Sequence, residues 1–143
     1  MDFKSRPMIV FNLKHKEEKK KFHETIKKMH ERKNKEVDHF KRQQLKEDID
    51  NKIVNWNQNL YPKSWKYFDP HFMSEEGLAM YAEVVYNTMG VGSFTFNTGC
   101  GNHSPNGVSA NQMRLLKMFK GRPGCTVRID EYNKGLVILE QRY

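Results

Sequence analysis

The chain is nearly without cysteine. Two thiols in 143 residues, Cys100 and Cys125, cannot supply a disulfide framework, so a core has to hold the fold. Long apolar runs are missing as well. No stretch approaches the roughly 20 apolar residues that a membrane span needs. Residues 8–11, followed by Lys14 and Lys16, are too short for the apolar centre of a signal peptide. These absences set the expectation of a cytoplasmic protein with reduced thiols and no membrane partner. Glycine and proline are absent from about Lys16 to Gln44, which excludes turns there and favours an uninterrupted helix. Apolar residues make up only 37% of the chain, so its core is modest, and most of it falls in residues 72–98 and 108–141.

What the chain has in abundance is charge. Twenty-five Lys and Arg face 17 Asp and Glu, a formal net charge of +8. Residues 1–50 hold 15 of the cations and ten of the acids, and residues 51–143 hold the other ten cations and seven acids. A positive field of this size attracts phosphate backbones and acidic protein surfaces. The plainer reading is solubility. Abundant Lys, Asn, Phe and Tyr with little Ala is what AT-rich genes encode, which suits a microbial or viral source.

The pattern predicts an α+β protein in three stretches: a charged helical arm with an N-terminal strand (1–50), a connector rich in Asn and aromatics (51–70), and a compact part (71–143). Residues 8–13 read as the strand. Phe22, Ile26, Met29, Val37 and Phe40 recur at helical spacing on the arm, and Lys33 interrupts them. Glu17–Lys21, Glu24–Lys28 and Glu31–Lys35 sit four apart in the favoured orientation. A second apolar set, Leu45, Ile49, Ile53, Trp56 and Leu60, lies on the opposite face, since nine steps of about 100° separate Phe40 from Ile49 by half a turn. The helix therefore breaks near residues 41–45, or its halves touch different things. A two-helix hairpin satisfies both faces internally. Otherwise Phe22, Ile26, Met29 and Phe40 stay available for a partner protein or a second copy of the chain, making a homodimer through the N-terminal helix.

In the compact part Ser74 can cap a helix that Glu75 and Glu76 favour and Gly90 ends, with Leu78, Tyr81, Ala82, Val85 and Met89 on its inner face. Residues 91–98 alternate as a strand around Phe94 and Phe96. Ser109 and Gln112 form a capping box for a helix over residues 111–120, which Gly121 and Pro123 stop. A hairpin follows, with Asn133, Lys134 and Gly135 in its turn and Gly135 suited to positive φ.

Several constellations could carry function. Arg114, Lys117 and Lys120 share the outer face of the helix over 111–120, and Arg122, Arg128 and Lys134 follow. These six are the predicted nucleic-acid contacts, for DNA or RNA, with the arm assisting. Helix, strand, basic helix and hairpin is the order at the end of a winged-helix domain, where the helix enters the major groove. Such a domain has one more helix before the recognition helix, and residues 98–108, with three glycines and a proline, predict none. Cys100 and His103 could supply two zinc ligands, with Cys125 a third and His71 or solvent the fourth, or a nucleophile and its base. The spacing lacks the second close pair of a structural zinc motif and any orienting residue for a catalytic pair. The stretch from Gly99 to Gly107 runs into a capped helix, a place for an anion, but no Lys-Ser or Lys-Thr follows as in a P-loop. The sequence therefore predicts a non-enzymatic nucleic-acid-binding protein with no cofactor, metal or catalytic residue. The rival is an interaction factor or inhibitor that docks on an acidic partner surface through its arm.

Overall fold

The computed structural model of the chain describes residues 13–60, 66–99 and 109–143. The predicted strand over residues 8–13 lies outside them up to Leu13, and so do Cys100, His103 and most of the glycine-rich stretch. The chain divides into two units, Met1–Trp65 and Lys66–Tyr143. The first unit thus takes in residues 51–60 of the expected connector.

The first unit is a pair of packed helices, α1 (Leu13–Lys35) and α2 (His39–Asn55), extended by a π-helical turn (Trp56–Leu60). The break falls at residues 36–38, earlier than expected. Asp38 causes it: in extended conformation (φ −76°, ψ 124°), it caps α2 by accepting the Lys41 backbone N–H at 2.9 Å. Arg42 closes the connection by donating to the Glu36 carbonyl from Nε at 3.1 Å and Nη2 at 2.6 Å. With the break there, parts of both apolar stripes turn inward, while Val37 and Phe40 stay exposed. Ile26, Ile49 and Ile53 are buried, and the Phe22 ring stacks on Trp56 with centroids 4.4 Å apart. Such a stack adds about 0.5–1.5 kcal/mol beyond the apolar area it covers.

The second unit carries a four-stranded mixed sheet: β1 (Tyr67–Phe68), β2 (Gly92–Asn97), β3 (Cys125–Ile129) and β4 (Leu136–Gln141), in spatial order β1-β2-β4-β3. The protein is therefore α+β, as the pattern predicts. β1 runs parallel to β2, and β4 is antiparallel to both β2 and β3. Two helices make the crossovers, α3 (Glu75–Met89) from β1 to β2 and α4 (Ala110–Phe119) from β2 to β3. Ser74 caps α3 through the Gly77 N–H at 3.0 Å, and Gly90 ends it at φ 72°. Phe94 and Phe96 of β2 pair in register with Leu139 and Val137 of β4, and all four side chains are buried on one face. Tyr81 of α3 stacks on Phe68, and Tyr86 of α3 meets Phe119 of α4, so both helices share that side. Among the described residues no helix is long and apolar enough to cross a membrane.

Two local expectations change. Ser109 caps α4 through the Gln112 N–H at 3.4 Å, but Gln112 does not complete the capping box. Its side chain is buried and donates instead to the Lys134 carbonyl at 2.8 Å, tying the hairpin turn to the first turn of α4. Gly135 does not adopt positive φ. It is needed for a close approach: a Cβ there would lie 3.2 Å from the Gly99 Cα. Thr98 N–H donates to the Gly135 carbonyl at 2.9 Å, which holds the two backbones together.

Candidate nucleic-acid interface

The six cations predicted to grip phosphate do not form one patch. Arg114, Lys117 and Lys120 are exposed on the outer side of α4, opposite its buried Leu115 and Phe119. Lys134 is exposed in the hairpin turn near the start of α4. Arg128 pairs in register with Ile138, whereas its neighbour Val127 pairs with the buried Leu139. Successive strand residues point to opposite faces, so Arg128 lies on the side of the sheet away from α3 and α4. Arg122 is held within the fold. It donates from Nη1 to Glu83 Oε2 at 3.1 Å, from Nη2 to Glu83 Oε1 at 2.6 Å, and from Nη2 to the Met118 carbonyl at 3.2 Å. Its guanidinium also lies over the Tyr86 and Phe119 rings. These bonds raise the Arg122 pKa and hold the Glu83 carboxyl below its usual range, the shared hydrogen bonds being the main cause of both.

Charge is partitioned between the units. Residues 66–143 hold eight Lys and Arg against seven Asp and Glu, so the sheet unit is close to neutral. Helix α1 alone holds ten Lys and Arg against four Glu. Lys16, Lys20, Lys21, Lys27, Lys28, Arg32 and Lys35 are exposed along it. Glu17, Glu24 and Glu31 recur every seventh residue and so fall in one row, with cations on both sides of it. Of the residues predicted to meet a partner protein, Ile26 is buried, Phe22 is stacked on Trp56 and Met29 is half-buried, while Phe40 stays 82% exposed.

A further cluster stands at the carboxyl ends of β1 and β2, the end of a parallel pair at which open α/β sheets bind ligands. Asp69 follows β1 directly. Its Oδ1 accepts the His71 backbone N–H at 3.0 Å and the His71 Nδ1–H at 2.6 Å. The carboxylate is mostly covered, with 12% of its side chain exposed, and the imidazole is 44% exposed. An Nδ1–H held by a carboxylate leaves Nε2 as the acceptor in the neutral ring. Nε2 faces Gly99, where an added Cβ would lie 3.6 Å away; Gly99 itself sits at φ 74°. Beside it, Asn97 Nδ2 donates to the Tyr67 hydroxyl at 2.8 Å. Burial raises the Tyr67 pKa, the Asn97 bond opposes this, and the Asp69 charge adds to it.

The turn that presents His71 is strained. Met73 N–H donates to the Pro70 carbonyl at 2.9 Å, closing a β-turn with Phe72 at its third position and φ 70°. Glycine or asparagine is the usual residue in that conformation, which costs a residue with a side chain about 1–2 kcal/mol. The sequence signals only Asp-Pro-His here, and nothing local foretells that the two side chains meet.

Of the candidate zinc ligands, Cys100 and His103 lie outside the described residues. Of those described, His71 lies against Gly99 at the Asn97–Leu136 end of the sheet, whereas Cys125 pairs with Gln141 at the other end. Five residue steps of about 3.3 Å put these ends roughly 16 Å apart. Cys125 is a buried thiol whose pKa is raised, chiefly by burial. Among the described residues no three His, Cys, Asp or Glu side chains converge to hold a metal ion. Comparison with protein-family models, curated proteins and solved structures finds no match.

Proposed function

We propose that the protein binds nucleic acid, with α1 as its main phosphate-contacting element and the outer side of α4 (Arg114, Lys117, Lys120) as a second. The observation that carries this reading is the concentration of charge on α1, ten cations against four acids, seven of them exposed. A helix of 23 residues spans about 35 Å, the length of one turn of duplex. Binding of the full chain to duplex DNA and to RNA of equal length tests it, over about 50 to 300 mM salt. The logarithm of the affinity is expected to fall linearly with the logarithm of the salt concentration. A flat response removes the reading.

The Asp69–His71 pair favours a second activity on the same ligand, hydrolysis of a phosphodiester. Asp69 fixes the ring, and Nε2 takes a proton from water as its oxygen bonds to phosphorus. The P–O bond to the departing sugar oxygen breaks on the opposite side of phosphorus, where that oxygen takes a proton from solvent, and the imidazolium then gives its own proton to solvent. The opening of the glycine-rich stretch at Gly99 supports a phosphate at this position, since such backbone allows close approach. His71→Gln is expected to abolish cleavage of a labelled oligonucleotide while leaving its affinity within about twofold, the 100- to 10,000-fold loss typical of a general base falling on turnover alone. Cleavage that survives H71Q dismisses this activity.

A further inference from the structure

The connection between α1 and α2 presents an exposed aromatic ring among cations. Phe40, in the first turn of α2, is 82% exposed, and Val37 beside it is 93% exposed. The neighbouring His39 ring meets Phe40 edge-on at 5.8 Å. Arg32 and Lys35 end α1 and Lys41 follows Phe40, all three exposed. A shallow depression lined by Lys28, Glu31, Arg32, Lys35 and Glu36 adjoins the connection. We infer that this tip is a stacking platform for an unpaired base, so that the nucleic acid engaged by α1 carries a single-stranded segment. The inference rests on the nucleic-acid reading and names the form of the ligand.

The chemistry of the tip favours this occupant. A base stacks on one face of an aromatic ring while its phosphates lie against nearby cations, and both parts are present here. A second helix does not fit. The outer face of α2 continues from Phe40 through Gln43, Gln44, Glu47 and Asn51, with Gln44 bonded to Asp48 at 2.9 Å, so no apolar seam extends from the ring. A lipid surface fits less well. The carboxylates of Glu36 and Asp38 flank Val37, and Asp38 is fixed as a cap, so a wedge formed by Val37 and Phe40 carries two acids into an anionic headgroup layer. A base on the Phe40 ring leaves both carboxylates in water.

The test compares the full-length protein with its Phe40→Ala and Phe40→Trp variants. The probes are a single-stranded oligonucleotide, a blunt duplex of the same length, and vesicles containing phosphatidylserine. Phe40→Ala is expected to weaken single-strand binding by roughly five- to one-hundred-fold and to leave duplex binding within about twofold. Phe40→Trp is expected to restore single-strand affinity and to show extra quenching over the wild type, whose own tryptophans supply the baseline. Equal wild-type and F40A affinities for the single strand overturn the inference while salt-sensitive binding stands. F40A losing vesicle binding alone overturns it in favour of a lipid surface. Absence of any salt-sensitive nucleic-acid binding in the wild type fells the underlying reading. Since Phe40 is exposed, far-ultraviolet circular dichroism is expected to be the same for all three proteins.

Discussion

The guanidinium of Arg122 lies 4.8 Å from the centre of the Tyr86 ring and 4.6 Å from that of Phe119, while two of its nitrogens hold the Glu83 carboxylate. It follows α4 and reaches back to α3, so one side chain fastens the two crossover helices together. A stacked cation at a partly exposed site contributes about 0.5–1 kcal/mol. The pair with Glu83, whose side chain is 42% exposed, is screened and adds about 0.2–1 kcal/mol. Arg122→Ala is therefore expected to destabilise the protein by about 1–2 kcal/mol in denaturant unfolding, and Arg122→Lys to recover less than half, because lysine has neither the planar fork nor the stacking face. The pH response follows from the direction of the Glu83 shift. Its folded pKa lies below the unfolded one, so the stabilisation is complete above the ordinary glutamate range and is lost as pH falls through the lower folded value. In melts from about pH 6 to pH 3, the wild type's advantage over Glu83→Gln is expected to shrink only in the acid part of the series. An advantage independent of pH would show that the carboxylate charge is not what Arg122 holds.

At the scale of elements, those closed by local chemistry are legible and those closed by distant partners are not. Ser74, Glu75, Glu76 and Gly90 define α3, and Ser109 with Gly121 brackets α4, because caps and stops act within one turn. The break between α1 and α2 is misplaced in the sequence because the apolar stripe carries on through Val37 and Phe40, both of which prove exposed. Asp38, the residue that causes the break, looks like any other acid in a charged helix. β1 is two residues long and exists only through pairing with Thr95 and Phe96, so periodicity has nothing to register. The site at the sheet end escapes for a related reason. Asp69 and His71 meet only in a turn that puts a phenylalanine at positive φ, where turn chemistry calls for glycine or asparagine. Lys and Arg positions are plain in the sequence, and strand alternation alone sends Arg128 and Val127 to opposite faces. That Arg122 belongs to Glu83, 39 positions earlier, depends on how α3 and α4 pack.

Over the whole molecule, the proposed nucleic-acid reading turns on the separation of charge from the sheet unit. An even spread of the +8 would let both units share the contacts, but the sheet unit has only one cation in excess, and its six predicted contacts are divided between the outer side of α4, the hairpin turn, a salt bridge and the far face of the sheet. Of the acids on the arm, Glu17, Glu24 and Glu31 of α1 line up in one row, with Glu18 beside it, and Glu47, Asp48 and Asp50 belong to α2. Each lysine that neutralises a duplex phosphate adds about 0.9 to the salt slope of binding. Replacing Lys20, Lys21 and Lys28 by glutamine in the full chain is thus expected to lower the slope by roughly one to three and to weaken duplex binding regardless of sequence. The matching triple replacement of Arg114, Lys117 and Lys120 is expected to lower it by less than about one. Five of the six are exposed on helices and Lys120 is exposed at the C-cap of α4, so neither triple removes core packing, and the difference between the slopes reports contact rather than folding. A larger effect from the α4 triple would move the phosphate track to the sheet unit, beside Lys134. Unchanged slopes in both variants would mean that the lysines of α1 only keep the hairpin solvated.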